Sequence, residues 1–453
     1  MKKNKLMVYL MALPLLLGLS SCGSSFTYHE GDTIYTKTPL IDLSNPGERL
    51  NIEVKLDGNI ETIKIGRISF SNFGYKDGIL TLDSSEFIKD GKRLVTSGEK
   101  TINITTSEKK SSLDILVCDK IIKTAQEFQD INNNLTGIYA LGNDIDLSSI
   151  TNFEPLGFFY DETNTKNSYF HGILDGNGYT VKNANVQYSP SETTNETIYN
   201  GTPLFKDPSH QAGDNIGIFQ IIGSSGIVRN TIFKDCNVSA RTIGGIIAGN
   251  NSGTIENCLV DGGEVNISTH FWDDDCNVGS VVGINAGSGK ISNVISTGTS
   301  SVTGKYIDWS EDYVGKVAGS GEHVNDSDPY WTFYGGNKVK EGETTPYNDS
   351  NGHKSNGVYS FVGKSWGTVS LSLALTYKVS PVNGTTRDVD FGQIHKGENK
   401  PASGDTDLGE LVDCYTKTLD ELKLSATYEG FNSDIWNIKD GKLPNIKAIY
   451  PTK

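Results

Sequence analysis

Two short segments of the chain combine tryptophan with clustered carboxylates. Trp272 is followed by three aspartates, Trp309 lies among further acidic residues, and Trp331 stands in an aromatic stretch beyond them. An indole ring can stack on the apolar face of a sugar, and carboxylates accept hydrogen bonds from hydroxyl groups. The residues that could bind a ligand in this way are Trp272, Asp273, Asp274, Asp275, Asp308, Trp309, Glu311, Asp312 and Trp331.

The same carboxylates could instead bind Ca²⁺, which prefers oxygen ligands. Asp273 and Asp275 in the first segment, with Asp308 and Asp312 in the second, are the residues that would coordinate the ion. A third interpretation is structural: the aromatic residues cover a flank of the fold and the acidic residues solvate a loop. No cofactor other than calcium is expected.

Asp144, Asp146 and Asp175 are the candidates for a catalytic carboxylate pair of the kind that cleaves glycosides. Aspartates beside Gly and Asn also cap backbone amides in turns, and this interpretation is favoured because it explains their neighbours. The seven histidines are scattered, with no two at metal-ligand spacing. No phosphate loop, nucleophile elbow or Cys–His signature is found; residues Gly363–Gly367 have the spacing Gly-x-Ser-x-Gly, but they belong to a segment that repeats the coil pattern. No catalytic residue is therefore predicted.

An internal repeat must position the acidic, aromatic segments. Three copies begin at Ile216-Gly217, Ile243-Gly244 and Val278-Gly279, and a weaker fourth begins at Val314-Gly315. Each copy contains short Ile- and Val-rich runs bounded by Gly, Asn and Ser, which predict strands and corners of positive φ. One coil of strands cannot bury its inner face alone, so coils stack. The pattern predicts a right-handed parallel β-helix over residues 120–453.

The acidic, aromatic segments fall at one position of this repeat. The distance from copy to copy grows after Gly244, and the additional residues precede the Val-Gly start of the next copy. Insertions at one repeat position emerge on one face of a solenoid. We therefore expect stacked coils to bring Trp272 near Trp309.

The repeat also carries a family resemblance. Residues Gly244–Cys258 resemble the GLUG-motif repeat of bacterial surface proteins, Val278–Asn293 matches it with one additional residue, and the first and fourth copies match in part. Tyr139–Leu147 and Phe170–Val181 resemble the first coils of β-helix proteins in the wider pectate-lyase-like group. The GLUG resemblance implies an extracellular scaffold whose repeats are not a catalytic site.

Two later segments extend the same pattern. Val362–Val369 predicts a further coil, and Thr418–Leu422 predicts a short helix. The ending Trp436–Ile446 resembles the terminal piece of GLUG-type proteins, which closes the last coil.

The N-terminus has the pattern of a bacterial lipoprotein signal. Lys2, Lys3 and Lys5 precede an apolar run that ends at Leu19-Ser20-Ser21-Cys22, which resembles a lipobox. Removal of residues 1–21 would leave Cys22 to carry the lipid, with residues 22–27 as a tether. The alternative, a transmembrane anchor, is disfavoured because the apolar run is short for a bilayer span. The membrane, reached through the N-terminal lipid, is thus one expected partner.

Residues 28–119 predict a separate β domain. Alternating strands such as Leu50–Leu56 and Thr101–Ile104, separated by turn signals, suggest an immunoglobulin-like β-sandwich, and the stretch is similar to bacterial immunoglobulin-like modules. Thr124 as N-cap and Glu127 three residues later predict a short helix that caps the first coil. The fold class expected for the whole chain is all-β.

Net charge argues against one class of partner, and cysteine content argues against a disulfide framework. The net charge of −15 argues against nucleic acid as a partner, because phosphate binding needs clustered Lys and Arg. The five cysteines other than Cys22 are scattered and odd in number, so a disulfide framework is not expected. Cys236 and Cys258 are predicted to be small apolar residues inside the coils, rather than a disulfide.

These observations predict a lipid-anchored protein on the extracellular face of the cell membrane or envelope. Its expected function is non-catalytic binding or adhesion to a glycan or host surface polymer, with a glycan or a surface protein as partner. A polysaccharide lyase or glycoside hydrolase is the alternative, since a fold does not decide a function. A passive stalk is a third class. Binding is favoured because it needs aromatic and hydrogen-bonding groups, and an enzyme would also need an acid/base pair.

Overall fold

Strands dominate the part of the chain that the structure describes. The computed structural model describes residues 27–30, 33–36, 39–45, 49–151, 153–157, 169–187, 215–240, 243–267, 277–302, 357–379, 387–394 and 410–447. Within these ranges there is one α-helix, Ala125–Gln129, and the predicted all-β class is confirmed. None of the helices in these ranges is long and apolar enough to cross a membrane.

Two sheets form the N-terminal part and share one hydrophobic core. One sheet has the strand order Leu40–Asp42, Lys110–Cys118, Gly98–Thr106, Ile60–Ile65, Ile68–Ser69, and the other has the order Arg49–Glu53, Ile79–Asp83, Phe73–Lys76. Pairing is antiparallel except between the first two strands of the larger sheet. Alternate residues such as Ile102 and Ile104 point inward and are fully buried with Leu80 and Leu82, because side chains alternate across a strand.

Smaller elements complete this part. They are the hairpins Thr27–Glu30 with Thr33–Thr36 and Ile88–Lys89 with Lys92–Arg93, and the 3₁₀ helix Ser84–Phe87. The first hairpin begins at Thr27, the last residue of the predicted tether.

The following residues wind into coils whose strands pair in parallel from one coil to the next. They form five stacks, which we name A to E in the order in which one complete coil, beginning at Asn215, passes through them. Stack A contains Asn215–Ile216, Ile243–Gly244, Asn277–Gly279 and Gly357–Tyr359. Stack B contains Phe219–Ile222, Ala248–Asn251, Val282–Asn285, Val362–Ser365 and Gly392–Ile394.

Stacks C and D belong to a single 13-stranded sheet, because two long strands, Thr368–Leu375 and Glu410–Lys417, run through both. Stack C also contains Lys120–Ile122, Ile138–Leu141, Ile173–Asp175, Ile227–Arg229, Thr254–Glu256 and Lys290–Ser292. Stack D also contains Ile145–Asp146, Thr180–Lys182, Ile232–Lys234, Leu259–Asp261 and Ile295–Ser296. Stack E contains Asn185–Gln187, Asn237–Ala240, Glu264–Ile267 and Thr299–Val302. The parallel stacks are consistent with a parallel β-helix.

The coil interior is a continuous apolar core. In stack C it is lined by Val228, Ile255, Ile291 and Val369, one from each successive coil, all almost completely buried. Stacking of equivalent residues shares one core among coils that could not bury their inner faces alone.

Corners of positive φ also repeat from coil to coil. Asn230, Asn257 and Asn293 stand between stacks C and D with φ of 52°, 52° and 53°. Asparagine tolerates this left-handed region better than most residues. The predicted use of asparagine at the corners is confirmed here, and Leu371 occupies the same corner of the next coil with φ of 44°.

The register of the coils differs in two places from the one that the sequence suggested. Ile216 pairs with Gly244 and Gly244 pairs with Val278. The coil neighbour of Gly217 is therefore Gly245 rather than Gly244, and a Cβ on Gly217 would lie 2.5 Å from the Gly245 carbonyl oxygen. The adjacent glycines Gly244 and Gly245 make both alignments plausible in sequence, and the strand pairing selects one.

The second difference concerns the fourth coil. Asn277–Gly279 pairs with Gly357–Tyr359, and Val282–Asn285 pairs with Val362–Ser365. The coil predicted at Val362–Val369 is therefore confirmed, and it lies directly against the third coil. The expectation that the fourth coil begins at Val314-Gly315 is wrong, because the strand that pairs with Asn277–Gly279 in stack A is Gly357–Tyr359. Residues 314–317 themselves lie outside the described ranges.

Local capping signals predicted the start of the coils correctly. Thr124 accepts a hydrogen bond from the Glu127 amide, and Glu127 accepts one from the Thr124 amide, so the capping box is complete. Phe128 on this helix is fully buried, with its ring 6.1 Å from that of Phe153. The 3₁₀ helices Asp130–Asn133 and Leu147–Ser149 follow.

The C-terminal segment lies along the side of the coils. After the hairpin Lys378–Val379 with Arg387–Asp388 and the strand Glu410–Lys417 come the 3₁₀ helices Glu421–Lys423 and Ser425–Tyr428 and the hairpin Trp436–Asn437 with Asn445–Ile446. Its buried side chains Leu422, Tyr428, Trp436 and Ile446 pack on outward residues of stack D, which are Ile232, Leu259, Ile295 and Leu373. These come from four successive coils, so the segment does more than close the last coil. Its first helix begins later than the predicted Thr418–Leu422.

Candidate binding face at the corner between stacks E and A

Three long connecting segments start and end at the same corner of the coils. Residues 188–214, 268–276 and 303–356 each join the end of a stack E strand to the start of a stack A strand. Ile267 and Val302, which precede the second and third segments, are register neighbours, and so are Asn277 and Gly357, which follow them. The prediction that the insertions share one repeat position is confirmed by these strand ends.

The residues of the predicted ligand site belong to two of these segments. Trp272, Asp273, Asp274, Asp275, Asp308, Trp309, Glu311, Asp312 and Trp331 all lie outside the described residues, and so does Cys22. The four carboxylates considered for Ca²⁺ are among them. In the described ranges, no group of three or more His, Cys, Asp or Glu side chains could hold a metal ion.

Stack E presents a polar outer surface that ends at this corner. Val186, Val238, Val265 and Ser300 point inward and are buried, so the intervening residues point outward. We name the outward set the E face, and its members are Asn185, Gln187, Asn237, Ser239, Glu264, Asn266, Thr299 and Ser301. Each is an ordinary surface residue in sequence, and only the register of the coils aligns them, so sequence reasoning missed this face.

Hydrogen bonds within the E face hold some of these side chains in position. Ser301 Oγ donates to Glu264 Oε1 at 2.6 Å and approaches Asn266 Oδ1 at 3.3 Å. Asn237 Oδ1 accepts from the Glu264 amide at 3.1 Å. Such contacts lower the conformational entropy that these groups would lose on binding a ligand.

The outer sides of stacks D and C have other partners. The outer side of stack D is covered by the C-terminal segment. The outer side of stack C meets the N-terminal sheets, where Leu116 and Cys118 pack on Ala140. The carboxylates of Asp42 and Asp119 accept hydrogen bonds from the amides of Ile121 and Ile138, at 3.2 Å and 2.8 Å.

The three aspartates considered for catalysis accept hydrogen bonds from backbone amides. Asp144 accepts from the Thr180 amide at 2.8 Å, and Asp146 accepts from the Ser148 amide at 3.0 Å. The pKa of Asp146 is lowered by the Asn183 amide group and then by Ser148 and Lys182. Asp175 accepts from the Asn177 amide at 2.9 Å and from the Arg229 guanidinium. Asp146 and Asp175 therefore cap turns, as expected, whereas Asp144 joins two consecutive coils.

The described cysteines are free thiols. Cys236 and Cys258 are buried in the coil core, as predicted, and are not joined to each other. Burial raises the pKa of Cys236 to about 12 and raises the pKa of Cys258 as well. Because the thiolate is the reactive form, burial and the raised pKa disfavour reaction at these two thiols.

Comparisons with known proteins give two distant likenesses. No family model matches the chain. Halomucin from Haloquadratum walsbyi is 27% identical over 146 residues, which are 30% of this chain and 1% of halomucin, so the chain spans a very small part of that relative. A crystal structure described as "a putative immunoglobulin A1 protease" from Bacteroides ovatus has a TM-score of 0.40 and 14% identity, covering 73% of this chain and 92% of that one. Neither likeness assigns the chain to a family, and the GLUG resemblance stays a prediction.

Proposed function

We propose that this chain is a lipid-anchored surface protein that binds a glycan or a host surface polymer without cleaving it. In this proposal, the signal peptide 1–21 is removed and Cys22 carries the lipid. Residues 28–119 form an immunoglobulin-like spacer, and residues 120–453 form a right-handed parallel β-helix of GLUG-like coils.

The observation that carries the proposal is the shared corner between stacks E and A. The strand ends at Ile267 and Val302 are neighbours, so the segments with Trp272 and Trp309 start from adjacent coils. Loops carried by a rigid scaffold are where binding residues concentrate, and insertions on one face of a solenoid often form its binding face. Both segments contain tryptophan for stacking on a sugar and carboxylates for hydroxyl groups or Ca²⁺.

The likeness to halomucin supports the proposed location of this chain, because such a likeness fits an extracellular or cell-surface protein. The attachment through Cys22 is supported by the sequence pattern at the N-terminus alone. The carboxylates Asp273, Asp275, Asp308 and Asp312 would supply oxygen ligands if calcium takes part.

The enzymatic alternative, a lyase or hydrolase, has less support. Such an enzyme needs an acid and a base that are free to exchange protons with the substrate. The aspartates first considered for these roles, Asp144, Asp146 and Asp175, all accept hydrogen bonds from backbone amides. A passive stalk would bind no ligand at all, and the acidic, aromatic segments at one corner favour a binding role over it.

The proposal is tested by binding of the chain to plates coated separately with mannan, a β-glucan, polygalacturonate and mucin. The wild type is compared with the double variant Trp272→Ala and Trp309→Ala. Tyr415→Ala is the matched control, because Tyr415 is an aromatic residue that is 54% exposed at the far end of the coils. Base-stacking measurements put an aromatic contact at about 1–3 kcal/mol, so loss of two contacts should weaken binding at least about tenfold.

The control variant should bind as the wild type does. Unchanged binding by the tryptophan variant would remove the segments at the corner from the binding site. Absence of binding to every coating would contradict the proposed function itself.

A further inference from the structure

The E face has a periodic geometry. One row contains Asn185, Asn237, Glu264 and Thr299, and the second row contains Gln187, Ser239, Asn266 and Ser301, each row in exact register between coils. Adjacent strands of a sheet lie about 4.8 Å apart, so both rows repeat at this distance along the coil axis. This spacing is close to the length of one sugar residue in an extended glycan.

The chemistry of the E face is that of a neutral, hydroxylated ligand. Seven of its eight residues are Asn, Gln, Ser or Thr, whose amides and hydroxyls both donate and accept hydrogen bonds. Glu264 is the one charged residue, and there is no Lys or Arg to attract an acidic polymer. No member of the E face has the large apolar side chain that a lipid or a hydrophobic peptide would need.

The outer sides of stacks D and C differ in chemistry from the E face. The outward residues of stack D are apolar and are covered by the C-terminal segment. Stack C presents ionic groups, among them Arg229, Glu256 and Lys290. The E face is also anchored from within by Val186, Val238 and Val265, which fix the positions of its rows.

We propose that the E face binds a neutral polysaccharide whose chain runs along the coil axis, with successive sugar residues over successive coils. The inference rests on the proposed glycan-binding function and adds the charge class of the ligand, its direction and the residues that hydrogen-bond to it. The E face ends at Ile267 and Val302, where the segments with Trp272 and Trp309 begin.

The test is affinity electrophoresis of the full chain, extracted in detergent, through native gels that contain mannan, a neutral β-glucan or polygalacturonate. The E-face variant combines Asn185→Ala, Gln187→Ala and Asn266→Ala. The matched control combines Thr254→Ala, Ser292→Ala and Thr368→Ala, three polar residues that point outward from stack C. Because three hydrogen-bonding side chains are removed, the E-face variant should bind the neutral polysaccharide at least about tenfold more weakly.

The variants are first compared by circular dichroism and thermal unfolding. If the triple variant unfolds early, the pair Asn185→Ala and Gln187→Ala replaces it, because both residues are exposed and their side chains hydrogen-bond to each other. Retardation by a neutral polysaccharide that is lost in the E-face variant and kept in the control supports the inference.

Three results would overturn it. Equal retardation of wild type and E-face variant would show that a glycan binds elsewhere, and the proposed function would stand. Retardation by polygalacturonate alone would assign an acidic ligand, again with the proposed function intact. Free migration through every gel would contradict both the inference and the proposed function.

Discussion

The guanidinium of Arg229 donates a hydrogen bond to the Glu99 carboxylate, with Nη1 and Oε1 2.8 Å apart, although the two residues are 130 positions apart in the sequence. Arg229 lies in stack C, and Glu99 lies in the larger N-terminal sheet. The same guanidinium donates through Nε to Asp175 Oδ2, also at 2.8 Å. One side chain therefore joins the N-terminal sheets to two consecutive coils.

Arg229→Met should destabilise the chain. The side chains of Arg229 and Asp175 are only 16% and 10% exposed, so the substitution leaves a buried carboxylate without its cation. Removal of one partner from a buried ion pair costs about 3–5 kcal/mol. Glu99→Gln is the control: Glu99 is 64% exposed, and the loss should be at most about 1 kcal/mol. Urea unfolding measures the free energy of unfolding of both variants. Equal losses of stability would contradict the role given to the buried Arg229–Asp175 pair.

Glu256→Gln should stabilise the chain in a pH-dependent way. Glu256 lies next to Arg229 in stack C, and burial raises the pKa of its carboxyl, opposed by Arg229 and reinforced by Asp175 and Glu99. Because the folded-state pKa is raised, folding favours the protonated carboxyl of Glu256 over the ionised one. The contribution of this carboxyl to stability is fully present below its unfolded-state pKa and is lost as pH rises through its folded-state pKa. The free energy of unfolding should therefore increase in the variant at pH 7 and change little at pH 4.

Glu61→Gln is the control for this pH dependence, because Glu61 is exposed on an N-terminal strand. Urea unfolding at the two pH values provides the comparison. A loss of stability in Glu256→Gln at pH 7 would show that its ionised carboxylate is stabilising.

Local patterns in the sequence predicted the parts of the fold that local chemistry determines. The capping box at Thr124 and Glu127, the strands of β-branched residues and the asparagine corners all depend on neighbours in the chain. The common position of the insertions followed from the phase of the repeat. The aspartates at turns were also predictable, because Gly and Asn surround them.

Long-range relationships were not predictable in this way. The choice of Gly245 over Gly244 as the neighbour of Gly217 depends on strand pairing, and so does the position of the fourth coil after residues 303–356. The contact between Glu99 and Arg229 and the packing of Trp436 on stack D join distant segments. The E face arises from the register of four coils, and no single coil reveals it.

Leu371→Asn should stabilise the last coils. Leu371 has φ of 44° at a corner where earlier coils have Asn230, Asn257 and Asn293. A left-handed backbone costs most residues roughly 1–2 kcal/mol, and asparagine tolerates it better. Thermal unfolding should show a gain of up to about 1 kcal/mol, and the reciprocal change Asn257→Leu should show a loss. A loss in Leu371→Asn would mean that packing of the leucine side chain outweighs its backbone strain.

Trp436→Ala should release the C-terminal segment from the side of the coils. Trp436 is 1% exposed and packs with Leu422 and Tyr428 against stack D. Truncation of a buried tryptophan costs about 3–5 kcal/mol, and the apolar residues of stack D should then bind a hydrophobic dye and become accessible to protease. Tyr415→Ala, at a side chain that is 54% exposed, is the control. Unchanged protease resistance in Trp436→Ala would contradict the account of this segment.

The central claim, binding without cleavage at the corner between stacks E and A, is tested most directly by a glycan array. The chain from Gly23 onward is applied with Ca²⁺ and, separately, with a chelator, and the bound sugars are then analysed for cleavage products. The account predicts retention on glycans with no products; loss of binding under chelator would assign the acidic segments to calcium. Cleavage products would contradict the account and return attention to the aspartates, and absence of binding to any glycan would leave a stalk or a protein partner as the explanation.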